Sequence, residues 1–429
     1  MSLSCFDFTQ GQTQLTLEQA QQALLETATE VTPRVEHPLH QARGLCLAEP
    51  ISAPIKVPQN TNSAMDGYAL RGEELTWRSS WTRVGECLAG RGYDRPLQPG
   101  ECVYITTGAP LPEGADTVVM AEQANCEGDQ VLFQLGDQPP KVGSNVRLAG
   151  EDIQAGQLLL AAGQQLGSVH LGLLASLGYA GVVVHQPLKV AVFSTGDEVT
   201  APGQPLPPAG IYDANRFSLL GLLAGLGCEV TDLGILPDDP QRITAALDQA
   251  RQQHQLVLTS GGVSVGEADF VRQALNRLGE TRFWKLAVRP GRPFAFGHLG
   301  RNASGQTCLF AGLPGNPVAV MVIFMLLVQP LIRKLQGGQQ PLDATWTALA
   351  LEPMKSRRGR SDFHRGCWNF NPQGQLVVRT TGPQGSGLLT SMQRANSLIR
   401  LPEDTEQVDA GQPVTVYPFH LWLPEQSCS

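Results

Sequence analysis

The sequence predicts a multidomain protein of the α/β and β classes. A central α/β domain with a parallel-rich sheet is accompanied by a β-rich inserted module and a small C-terminal β domain. Three observations predict this. From Lys189 onward, short apolar runs end in glycine- or acid-bearing turns and lead into helical patterns, which is the recurrence of a sheet with crossovers. Between residues 51 and 143, β-like runs such as Cys102–Ile105 and Thr117–Met120 are separated by glycine and proline. Beyond the Gly337-Gly338 pair, short alternating segments return at Gln375–Arg379 and Val414–Val416. A length of 429 residues has room for two to four domains.

Taken in order, the first helix is expected over Leu15–Ala28. Thr16 caps it, and Leu17, Ala20, Leu24 and Leu25 recur at helical spacing. Val146–Gly181 alternates glycines with short apolar segments and ends in a helix over Val169–Leu177. Val190–Phe193 reads as a buried strand ending at Ser194–Glu198, followed by a helix over Asn215–Leu226. Glu229–Leu236 is the next strand and Gln241–Gln252 the next helix. Leu256–Leu258 and a helix over Phe270–Leu278 repeat the unit. Leu309–Ala311 is another short strand, leading through Leu313-Pro314-Gly315-Asn316-Pro317 into a long apolar helix. The apolar run Val318–Val328 is too short to cross a bilayer, so a buried helix and no membrane contact are expected.

The bulk properties narrow the function classes. A net charge of -8 argues against a general nucleic-acid partner, although it leaves room for a local basic pocket. Nine scattered cysteines without a Cys-x-x-Cys pair fit a reducing cytoplasm. The start MSLSCFDFTQ has no basic region followed by an apolar core, so no signal peptide is expected.

Leu256–Asp269 (LVLTSGGVSVGEAD) carries the strongest chemical signal. An apolar strand delivers Gly261 and Gly262, then Ser264 and the acidic Glu267 and Asp269. Such a turn exposes backbone N–H groups to a phosphoryl or other oxyanion, and acids beside it suit a divalent cation. A tight strand-helix turn with a solvated acidic edge is the plainer alternative. Four further turns accompany it: Ser194–Glu198, Pro237–Asp239, Lys285–Pro293 and Pro314–Pro317. In a parallel sheet these turns converge on one crevice. They would bring Glu198, Asp238 and Asp269 near Lys285, Arg289 and Arg292, which suits a phosphorylated substrate bound through a metal. Helix capping is the alternative for Asp238 and Asp239, which precede Pro240, and turn shaping is the alternative for Asn316. Surface charge is the alternative for Lys285 and Arg289.

Outside that domain, Asp66 lies in a turn before an apolar step, and Thr107 follows a strand and offers hydroxyl and backbone donors, with a purely structural turn as the alternative for both. Near the C-terminus, Arg357-Arg358-Gly359-Arg360 forms a basic cluster that, with Ser386, Thr390 and Ser391 as small donors, suits anionic substrate groups, a solvated face being the alternative. Walker and GxGxxG fingerprints are absent and no cysteine has an obvious activating partner, which favours electrostatic, metal-assisted transfer over nucleophilic catalysis.

These segments resemble the molybdopterin molybdenumtransferase family of molybdenum-cofactor biosynthesis, whose eukaryotic relatives include the C-terminal part of gephyrin. The resemblance spans nearly the whole chain. It rests on SAMDGYA at Ser63–Ala69, TTGAPLPEGAD at Thr106–Asp116, STGDE at Ser194–Glu198 and IYDANR at Ile211–Arg216. TSGGVSVGEAD at Thr259–Asp269 and LPGNPVA at Leu313–Ala319 complete it. The resemblance implies insertion of molybdate into adenylylated molybdopterin, with magnesium, release of AMP and formation of molybdenum cofactor. It implies a cytoplasmic homodimer working with molybdopterin adenylyltransferase and molybdoenzyme maturation partners. It also implies four domains. These are a discontinuous N-terminal dimerisation domain (1–50 plus 144–185), an inserted β-rich domain (51–143), a molybdopterin-binding α/β domain (186–335) and a C-terminal β domain (336–429).

Carried over residue by residue, the resemblance makes Asp66 and Thr107 cross-subunit cleft residues and puts Asp152 at the dimer-proximal edge. Glu198, Asp238 and Asp269 become the acidic, metal-holding residues. Lys285 and Arg289 are the basic positions of a KPGKP-like segment, in which Arg289 and Arg292 stand where relatives often carry lysine. Gly261, Gly262, Ser264 and Asn316 belong to the substrate-binding turns. Arg360 with Ser386 or Ser391 matches the molybdate-side cluster. Two rival readings are a molybdopterin adenylyltransferase, which needs no large flanking domains, and a gephyrin-like non-catalytic scaffold.

Overall fold

The computed structural model describes residues 14–136, 139–262, 270–339 and 344–422. The chain divides into two compact units. One comprises Pro50–Ala162 with Gly172–Ala180, and the other holds the remaining described residues.

The larger unit contains the central sheet. Its seven strands run in the order Gln14–Leu15, Glu280–Leu286, Pro293–Arg301, Thr307–Leu313, Leu256–Ser260, Lys189–Thr195 and Glu229–Leu236. The last four are mutually parallel, and Pro293–Arg301 is antiparallel to both its neighbours. The sheet is therefore mixed but parallel-rich. Both faces are covered, which explains why its strands read as continuous apolar runs rather than alternating ones. Val190, Val192, Leu256 and Leu258 pack with helices Leu17–Thr27, Ala214–Gly225 and the long apolar helix. Ala191, Phe193 and Val257 face Ile243 and Leu247 of helix Pro240–Gln253 and Ala274 and Leu275 of helix Phe270–Leu278.

Helix Leu17–Thr27 starts at the expected Thr16 cap, while Leu15, expected in the helix, instead ends strand Gln14–Leu15. Thr16 and Gln19 form a reciprocal capping box, with bonds of 3.2 and 3.0 Å. The apolar helix is longer than the apolar run suggests, extending over Pro317–Leu335. At 19 residues it has the length and composition to cross a membrane, yet 83% of its most apolar 18-residue window is buried within the protein. Phe324–Val328 within it are wound as a π-helix.

The C-terminal part of this unit is a small barrel. Strands Ser361–Phe370, Leu376–Thr380, Trp346–Ala350, Pro413–Pro418 and Ser397–Leu401 pair in sequence, and the last returns to the first. Val288–Arg289, leaving the central domain, adds to it in parallel with Ser361–Asp362.

The smaller unit is built on a six-stranded sheet centred on Glu101–Ile105 and Trp81–Cys87, with Gly67–Leu70 beside Glu101–Ile105. Period-two alternation puts Tyr68 and Leu70 in one apolar cluster and Ala69 in another. Residues 144–162 join this unit because Val146–Arg147 pairs with Asn62–Ser63, and Leu158–Leu160 with Ile51–Ser52.

Candidate functional site

Four parallel strands end on one edge, so their turns meet there, as parallel topology requires. Within the larger unit these turns wall a cleft of about 720 Å³. Of the residues singled out from sequence, Glu198, Gly261, Gly262, Arg289, Arg292 and Asn316 line it from the central domain. Arg360 and Ser386 line it from the barrel. Gly261 and Gly262 have φ values of 93° and 65°, a backbone that side-chain-bearing residues rarely adopt.

Among the other expected residues, those that are described do not line it. Asp238 accepts a hydrogen bond from the Thr195 hydroxyl and does not line the cleft. Its neighbour Asp239 is the helix cap, accepting from the backbone N–H of Gln241 and Arg242 at 2.8 and 3.0 Å. Lys285 is exposed on its strand, in register with Gln14 on one side and Pro293 on the other. Ser391 is buried, accepting from Arg365 Nε at 3.0 Å and donating to the Leu388 carbonyl at 2.6 Å. Ser264 and Asp269 lie outside the described residues.

In the smaller unit, Asp66 and Thr107 meet. One carboxylate oxygen of Asp66 accepts the Thr107 backbone N–H at 2.6 Å and its hydroxyl at 2.8 Å. The backbone bond, then the hydroxyl, holds the carboxyl below its ordinary range, so it stays ionised. Asp152 is exposed in the same unit.

Several organising residues are not among the site residues expected from the sequence, although Asp213, Asn215 and Arg216 fall in the IYDANR segment. Asn215 donates to Ser260 Oγ and to the Gly315 carbonyl, both at 2.7 Å, and so ties two cleft turns together. Asp213 caps the same helix and is buried against Arg216. Arg365 is buried in the barrel and donates to the Gly385 carbonyl at 3.0 Å, which supports the Ser386 loop. Burial, reinforced by Arg289, brings its guanidinium down to about 10. Asp362, fully buried, accepts from Arg360 Nε at 2.9 Å and lies 3.6 Å from Arg289 Nη1. The available signal was a lone acid beside the Arg357–Arg360 cluster.

The cleft thus combines arginines, glycine-turn amides and small donors, a set that binds oxyanions. Among the described residues, no group of three or more His, Cys, Asp or Glu is placed to hold a metal ion. Glu198 and Asp238 follow neighbouring strands and offer hard carboxylate oxygens of the type magnesium takes.

Family models match in three consecutive blocks. The MoeA N-terminal region (domains I and II) matches residues 15–178, a probable molybdopterin binding domain matches 191–334, and the MoeA C-terminal region (domain IV) matches 347–419. A molybdopterin molybdenumtransferase of Haemophilus influenzae is 44% identical over 410 residues, covering 95% of this chain and 100% of its own. One from Nostoc is 35% identical over 396 residues, covering 88% and 87%. The crystal structure of a molybdopterin biosynthesis MoeA protein from Pyrococcus horikoshii matches with a TM-score of 0.79 at 27% identity, covering 94% of this chain and 99% of that one. The fold is the MoeA-like multidomain one, with mixed sheets and a small C-terminal β domain, and the chain belongs to the molybdopterin molybdenumtransferase family.

Proposed function

We infer that this chain is a molybdopterin molybdenumtransferase. It joins molybdate to adenylylated molybdopterin, releases AMP and yields molybdenum cofactor. The observation that carries this reading is the cationic cleft at the parallel-strand edge, in a chain 44% identical to a protein of that name. A pyrophosphate-linked substrate and molybdate are both oxyanions. The Gly261-Gly262 turn offers backbone to one, while Arg289, Arg292 and Arg360 present planar forks that take oxygens in pairs. Ser386 adds a neutral donor.

Magnesium fits the donor set. Glu198 and Asp238, with Asp269, which follows the Gly261-Gly262 pair in the sequence, would hold it through oxygen, and it would neutralise charge at the pyrophosphate. Thr195, by donating to Asp238 Oδ1, fixes the orientation of that carboxylate. Lys285, exposed at the end of its strand, supplies a further cation for the substrate's phosphates. We propose a cytoplasmic homodimer that receives its substrate from a molybdopterin adenylyltransferase and passes its product to molybdoenzyme maturation partners.

The test is incubation with adenylylated molybdopterin, molybdate and magnesium, with AMP measured over time. AMP release should require all three, and Asp269→Asn should lose the magnesium-dependent release while leaving a folded protein. Release that is unchanged without molybdate, or use of ATP in place of the adenylylated pterin, would reject the reading.

A further inference from the structure

Two of the cleft arginines share one buried carboxylate. Arg289 ends a short strand that leaves the central domain, and parallel pairing sets it directly opposite Asp362 on the first barrel strand. Asp362 is fully buried. Its Oδ1 accepts from Arg360 Nε at 2.9 Å, and its Oδ2 lies 3.6 Å from Arg289 Nη1. Among the described residues Oδ2 has no hydrogen-bond partner. Arg289 and Arg360 are 50% and 27% exposed, and both line the cleft, so the carboxylate sits behind them. Arg292 and Arg358 line the same cleft without contact to Asp362. Arg358 instead faces Glu406 at 3.5 Å.

A guanidinium is a planar fork with five N–H groups. Where a buried acid accepts from Nε, as Asp362 does from Arg360, that edge is held and the remaining N–H groups point the other way, while Arg289 at 3.6 Å is drawn to the same carboxylate by charge rather than by a hydrogen bond. We propose that Asp362 is a positioning residue for the transfer reaction, one that aims the free edges of Arg289 and Arg360 together at one oxyanion in the cleft. The proposal rests on the molybdenumtransferase reading. Charge alone makes the opposite demand: a carboxylate behind the arginines weakens their pull on an anion, so removing it should tighten binding. The two effects therefore differ in sign.

The test is calorimetric titration of molybdate alone into the full-length protein. Asp362→Asn keeps the shape and removes the charge. It should weaken molybdate binding about tenfold, the order expected for losing an aligned charge-assisted hydrogen bond, with folding verified by thermal unfolding. In an Arg289→Ala, Arg360→Ala background, adding Asp362→Asn should change affinity less than about twofold, because nothing is left to aim. Unchanged or tighter binding by Asp362→Asn overturns the proposal. So does a tenfold loss that persists without both arginines, which is the signature of a general structural defect. If Asp362→Asn does not fold, Asp362→Glu is used, which keeps the charge but shifts the carboxylate. The same loss and the same coupling are expected, and wild-type affinity would overturn the proposal. Wild-type protein that binds no molybdate instead refutes the functional reading on which the proposal stands.

Discussion

His364 shows how far the barrel interior departs from water. It is 8% exposed and surrounded by Asp362, Arg365 and Arg289. Burial is the main cause that brings its pKa down to about 4, Asp362 opposes the shift, and the two arginines add to it. The sign follows from proton uptake. Below an ordinary histidine value near 6.5 the unfolded chain takes up a proton that the folded chain refuses until pH 4. Stability is therefore full above about 6.5 and falls as the pH drops toward 4, by about 3 kcal/mol for a shift of this size. His364→Gln should remove that component. Urea unfolding at pH 7 and pH 4.5 should show a smaller loss in the variant than in the wild type, and equal losses would refute the assignment. At this scale the sequence was informative where chemistry is local. Gly261 and Gly262 could be read because a glycine pair after an apolar strand forces a turn. Asp362 and Arg365 could not, because their roles come from strand pairing and barrel closure, which join residues far apart in the chain.

At the scale of elements, the apolar helix carries a conflict that a distant segment resolves. Pro330 lies inside Pro317–Leu335 and has no N–H to give to the preceding turn, which is π-wound and includes the Leu326 carbonyl. The side-chain amide of Gln21, on the first helix, donates to that carbonyl at 2.8 Å. Lys334 adds a second bridge through the Leu25 carbonyl. Gln21→Ala should thus cost about 1–2 kcal/mol, since a part-buried acceptor loses its added donor. Gln22→Ala is the control. Its amide bonds only the exposed Glu26 carboxylate one turn on, so its effect should stay within about 0.5 kcal/mol. Equal destabilisation of the two variants in urea would show that the Leu326 contact has no special weight. The sequence announced both helices, through the Thr16 cap and the apolar run. It did not announce the bond between them, nor the π-wound stretch, because neither follows from periodicity.

At the scale of the whole molecule, the residues expected to act together are distributed over two compact units. Glu198 and Arg360 belong to one, and Asp66 and Thr107 to the other. The motif order along the chain located these residues but left open which polypeptide supplies each of them to a given active centre. The proposed homodimer makes a definite prediction here. If each active centre draws Asp66 from one chain and Glu198 from its partner, Asp66→Ala and Glu198→Gln homodimers should each lose most AMP release. A mixture of the two, unfolded and refolded together, should then contain heterodimers with one intact centre and one doubly damaged centre. With random pairing about half the dimers are mixed, and each mixed dimer has one of two centres intact, so recovery should approach about a quarter of wild-type activity. Two differently tagged chains allow the mixed dimers to be purified and assayed alone, where recovery should approach about half. Purified heterodimers as inactive as either parent would mean that Asp66 and Glu198 serve the same centre from the same chain. The cross-subunit assignment would then have to be abandoned.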